Sequence, residues 1–221
     1  MPTTETIFSS TNDGRILKSD ADWSTARDAD SGTAASGLST DAYAVRSSVA
    51  SGRGGTTYYV ARSFFEFDVS SITHVPKSAS CYIHGYNLGA ADMRLVQSNQ
   101  SASLANGDFD AIVGWDGSSS DGSGAGTNVS NVTLYDNAEI SSWDTAIYNT
   151  ITLSQQALVH IAGLSIFKCC LIEADNDLRD VSANGPDNRS GMYFADTSGT
   201  SRDPKLVVIT QDDAVFMGAN F

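Results

Sequence analysis

Six hard-oxygen side chains crowd one short stretch: Asp175-Asn176-Asp177, Asp180, then Asp187 and Asn188. That density suits a Ca2+ ion, with Asp175, Asp177 and Asp180 as candidate ligands. The stretch is not an EF-hand, because Arg179 occupies the fifth loop position and no glycine follows at the sixth. Asp/Asn loops also fold by bonding their own backbone, and Arg179 or Arg189 could neutralise this one from within.

Catalytic chemistry has thinner support. The three histidines, His74, His84 and His160, lack metal-ligand spacing, and no Cys-x-x-Cys pair occurs. Neither a Gly-x-Ser-x-Gly elbow nor a phosphate-binding glycine loop is present. Glu66 and Glu173 lie in strand-like segments and could be compared with the paired glutamates of glycosidases. Each alternates with apolar neighbours as an ordinary solvent face does, so no catalytic residue, and no enzyme, is expected.

Sugar binding needs aromatic rings that stack on pyranose faces beside polar groups. Tyr82, Tyr86 and Trp115 are the candidate glycan contacts, with Tyr58 a further aromatic. Tyr82 and Tyr86 fall on one strand face, opposite Cys81 and Ile83.

The elements that must position these residues are strands. In 62–69, Phe65, Phe67 and Val69 alternate with Glu66 and Asp68, the pattern of a half-buried strand. The same signal marks 79–86, and further strands are expected at 6–9, 14–19, 43–48, 93–97, 131–135, 149–153, 165–173, 191–196 and 205–210. About ten strands split by Gly/Ser/Asp turns predict an all-β jelly-roll sandwich. One helix is expected at about 155–162, capped by Ser154 and ended by Gly163. Segments 26–40, 115–127 and 174–190 read as long loops. None is a domain linker, so residues 1–210 are expected to form one domain, followed by a C-terminal arm, 211–221.

Composition narrows the partners. The 221 residues carry a net charge of −13, which disfavours nucleic acid and anionic membranes. No apolar run is long enough to span a bilayer. The start, Met1-Pro2-Thr3-Thr4-Glu5, has no signal-peptide pattern, so a protein made and kept in the cytoplasm is expected. The Asn-x-Ser/Thr triplets at Asn99, Asn128, Asn131 and Asn188 therefore carry no weight. Cys81, Cys169 and Cys170 form no disulfide framework.

Several stretches together resemble the DNRLRE-like β-sandwich domains, relatives of carbohydrate-binding modules. They are 23–33 (Trp-Ser-Thr-Ala-Arg-Asp-Ala-Asp-Ser-Gly-Thr), 59–72 (Tyr-Val-Ala-Arg-Ser-Phe-Phe-Glu-Phe-Asp-Val-Ser-Ser-Ile), 76–83, 148–153 and 198–208. The likeness spans most of 6–210 and implies a jelly roll without catalytic residues. It extends to uncharacterised tailed-phage proteins, which lack export signals. It thus implies a structural virion protein, made in the host cytoplasm, that decorates the head as a capsid-surface or head-fibre protein. The alternative is a glycan-binding adhesion module on a tail fibre.

The arm departs from the family pattern. Its Val215, Phe216, Met217 and Phe221 need burial, on their own domain or on a neighbour. These four are the candidate assembly interface. The implied partners are a major capsid protein or other virion subunits, further copies of the chain in a homo-oligomer, and a host-surface glycan.

Overall fold

A computed structural model of the chain describes residues 2–115, 131–195 and 198–210. Eleven strands form one antiparallel network among these residues. They are β1 (Thr4–Phe8), β2 (Gly14–Asp20), β3 (Ala34–Ser36), β4 (Thr40–Gly52), β5 (Gly55–Asp68) and β6 (Ser78–Gly89), then β7 (Met93–Gln97), β8 (Tyr148–Thr152), β9 (Ile166–Glu173), β10 (Arg189–Tyr193) and β11 (Lys205–Ile209). The alternation read from the sequence is therefore realised as an all-β fold. Segment 131–135 is the exception: Leu134 makes only an isolated bridge to Val96.

The network folds over on itself. β8, β6, β11 and β1 make one sheet. β7, β9, β5, β2 and β3 make the second, with β4 on β5. β10 bridges them by pairing with both β4 and β6. Between the sheets, Cys81, Ile83, Ile151, Leu206 and Val208 meet Phe65, Phe67, Leu95, Phe167, Cys169 and Leu171 in one buried core. The helix expected at 155–162 is α2 (Gln155–Gly163), whose start Ser154 caps at Ala157 N. Its Ala157, Leu158 and Ile161 close the same core.

The second sheet is buried on its other face too. Ile16, Val60, Phe64, Val96, Cys170 and Ile172 are covered by a layer of loops. That layer includes the short helix α1 (Trp23–Arg27), Phe109, Ile112, Val132 and Leu178. Cys169 and Cys170 thus point to opposite faces, as neighbours in a strand must, yet both are fully buried and both are free thiols. Glu66 is buried rather than solvent-facing, because it accepts from Ser10 Oγ at 2.7 Å and Asn12 Nδ2 at 2.8 Å.

Candidate functional site

Along β6 the side chains alternate between the core and the outside. Cys81 and Ile83 are fully buried, while Tyr82, His84 and Tyr86 are half-buried on the outward face. Neighbouring strands add rings to that face. Tyr148 lies directly across from His84 on β8, and Tyr193 comes from β10.

The rings form a ladder. Centroids lie 5.2 Å apart for Tyr148–His84, 5.1 Å for His84–Tyr193 and 5.2 Å for Tyr193–Tyr86, each pair edge-to-face. This geometry is favourable for aromatic quadrupoles. It presents ring faces and ring edges alternately along the strand. His84 Nδ1 lies 2.8 Å from Gly85 O, so that nitrogen carries the proton and donates.

Charged groups edge the ladder. Lys205 pairs with Tyr82 in register, and its ammonium lies 4.2 Å from the Tyr148 ring and 5.8 Å from that of Tyr82. Arg202 stacks on Tyr193 at 4.7 Å and donates to its hydroxyl at 2.7 Å. Tyr148 donates its hydroxyl proton to Asp203 O at 3.0 Å. The Asp203 carboxylate is buried, and its Oδ1 has no hydrogen-bond partner among the described residues. Burial raises the Asp203 pKa, and burial with the nearby Asp203 charge raises that of the Tyr148 phenol. Aromatic rings of this kind stack on sugar C–H faces, and the Arg202 and Lys205 cations beside them are donors for hydroxyls.

Two of the three aromatic candidates, Tyr82 and Tyr86, are thus brought onto one face. The third is not. Trp115 is wedged between two guanidinium groups, 4.4 Å from Arg27 and 4.1 Å from Arg62, over the loop-covered face. Tyr58 meets Trp23 edge-to-face at 5.9 Å in the same layer. Tyr148, Tyr193, His84, Arg202, Lys205 and Asp203 complete the ladder and were not among the glycan contacts expected from sequence. Tyr193 carried the same exposed-parity signal as Tyr82. Its juxtaposition depends on the β10–β6 pairing, which spans more than a hundred residues.

Asp175, Asp177 and Asp180 do not converge on one point. Both Asp177 oxygens accept from Arg62, at 2.8 and 2.7 Å. Asp180 accepts from the Trp23 indole at 3.0 Å. Asp175 turns toward Asp92 and Glu139, with all three carboxylates within 4.8 Å of one another. Arg179, one of the two arginines that could neutralise this loop, donates to Asp175 and, at 2.7 Å, to Glu139.

Glu173 is a helix cap. Its carboxylate accepts from Asp175 N, Asn176 N and Asp177 N, and from Asn188 Nδ2 at 2.8 Å. Burial raises its pKa while these four donors pull the other way. Glu66 pairs with Lys168 in register, five residues earlier on β9 than Glu173. Odd-numbered β9 residues face the inter-sheet core and even-numbered ones the loop layer, so Glu66 and Glu173 stand on opposite faces. Val215, Phe216, Met217 and Phe221 lie outside the described residues. Compared with models of known protein families and with curated proteins, the chain matches none.

Proposed function

We propose that the chain is a non-catalytic adhesive module that binds carbohydrate through the outward face of β6, β8 and β10. The observation that carries this is the ring ladder Tyr148–His84–Tyr193–Tyr86 with Asp203, Arg202 and Lys205 at its margin. Glu66 and Glu173, the glycosidase-like candidates, are each tied into separate structural hydrogen bonds, which favours binding over hydrolysis. A glycan array followed by calorimetry tests the proposal. Tyr86→Ala and Tyr193→Ala are expected to weaken the best ligand by roughly tenfold, about 1.4 kcal/mol each. Binding to no glycan at all overturns it.

The setting we propose is the surface of a tailed-phage virion, with the sandwich following a jelly-roll path, as the likeness to DNRLRE-like domains implies. Mass spectrometry of purified particles tests that setting. Deleting 211–221 is expected to abolish incorporation if the arm is the anchor on a capsid protein or a sister subunit.

A further inference from the structure

Antiparallel pairing of β4 with β10 places Arg189 directly across from Arg46. Like charges facing each other across a ladder repel. The chain has 26 acidic side chains against 13 Lys and Arg, so partners are abundant. Yet among the described residues the Arg46 side chain makes one hydrogen bond, from Nε to Ser48 Oγ at 2.5 Å, and no ion pair. Among the described residues the Arg189 side chain ion-pairs only with Asp187, at 3.4 Å, and that carboxylate is 80% exposed. Arg15 adds a third positive charge nearby. Its partner Asp41 is already engaged, by Arg15 Nε at 2.8 Å and Tyr43 N at 2.7 Å. Burial, reinforced by Arg189 and Arg15, holds the Arg46 guanidinium below its ordinary pKa.

Aromatic rings hold the two guanidinium groups in place without neutralising them. Both lie 5.2 Å from the Tyr43 ring, and Arg46 also lies 4.0 Å from Tyr59. Tyr43 is itself 39% exposed. Two forks beside one accessible ring, with most of their N–H groups unbonded among the described residues, suit a planar two-oxygen anion. On β10, Arg189 and Tyr193 are both half-buried, and the register with β4 and β6 shifts between Ser190 and Met192. They are four residues apart, at most about 13 Å along a strand. That span is within reach of a short chain of sugars that meets the ring ladder at Tyr193.

We propose that Arg46 and Arg189, around Tyr43, form an anion subsite that takes the carboxylate of an acidic saccharide. The inference rests on the saccharide-binding function proposed above and names its ligand class.

The test uses the full chain with uronic-acid oligosaccharides, their neutral counterparts, and sodium sulfate alone. The proteins are wild type, Arg46→Gln, Arg189→Gln and Tyr86→Ala. Uronic-acid binding is expected to weaken at least tenfold in each arginine variant, with neutral binding unchanged. Sulfate is expected to raise the melting temperature of the wild type and not of the arginine variants. Without ligand, Arg189→Gln is expected to be at least as stable as the wild type, because a like-charge contact has been removed.

If acidic and neutral sugars bind equally well to wild type and arginine variants, the subsite is refuted while the saccharide module stands. If sulfate stabilises through the arginines but no saccharide binds, the acidic-saccharide assignment falls together with the module. Arg189→Gln losing stability in the absence of ligand would mark the pair as structural and overturn the proposal.

Discussion

Buried ion pairs at Asp177 organise the loop layer. Arg62 and Asp177 are both fully buried, 2.7 Å apart, and Arg62 also donates to Phe109 O and Arg27 O. Arg27, equally buried, donates to Asp177 O at 2.6 Å. Removing one partner strands the other's charge in the interior, so Asp177→Ala is expected to lower stability by about 3–5 kcal/mol. Chemical denaturation measures this, and the Arg62→Ala/Asp177→Ala double variant should lose less than the sum of the singles. None of this was legible in sequence: an arginine at the start of a strand looks solvated, and its partner lies 115 residues away. The cysteines were more transparent, since strand parity alone sends Cys169 and Cys170 to opposite faces. Their thiols carry a pH prediction. Burial pushes Cys81 from 9.0 to about 12 and raises Cys169 and Cys170 as well. The unfolded chain releases these protons first as pH rises, so the stabilisation is complete below about pH 9 and is lost above it. Each thiol should steepen that loss by about 1.4 kcal/mol per pH unit. Urea midpoints followed from about pH 8 to about pH 10 should therefore fall less steeply in Cys81→Ala, and equal slopes would count against the mechanism.

Strand β10 joins the two sheets and both candidate binding groups, so its packing matters at the scale of the element. A Cβ on Gly191 would lie 2.1 Å from Tyr86 O and 2.9 Å from Asp41 O, backbone atoms on either side. Neither β6 nor β4 can yield without breaking its register. Gly191→Ala is expected to cost about 3 kcal/mol or more and to weaken saccharide binding by separating Tyr86 from Tyr193. Thermal melts with ring-current shifts of the two tyrosines would show it; an unperturbed Tyr86–Tyr193 contact would contradict it. Most strands were readable because each alternates apolar and polar residues over one turn-bounded run. The second core was not. Its cover comes from 23–29, 104–115, 132–134 and 178–183, where Asp, Ser, Asn and Gly residues between the apolar ones look like solvent-exposed loop. Apolar anchors such as Trp23, Ala26, Phe109, Ile112, Leu178 and Ala183 stand there without strand or helix periodicity. β3 was missed for the same reason, as a three-residue strand inside a loop-like composition.

At the scale of the whole molecule, two opposed fields would act on the acidic saccharide proposed above. The net charge of −13 repels it at long range, while Arg46 and Arg189 attract it only within contact distance. Salt screens the distant term first, because the Debye length falls from about 30 Å at 0.01 M to about 8 Å at 0.15 M ionic strength. Association should therefore behave unlike that of a basic protein with an anion. Stopped-flow measurement with a uronic-acid oligosaccharide is expected to show the association rate rising over this range of ionic strength. The dissociation rate should rise too, as the short-range contact is partly screened. A neutral oligosaccharide of equal length, meeting only the ring ladder, should show neither trend. An acidic-ligand association rate that falls with salt would mean that a larger positive field than the arginine pair steers the encounter. The two-field account would then be wrong even if the affinity itself were high.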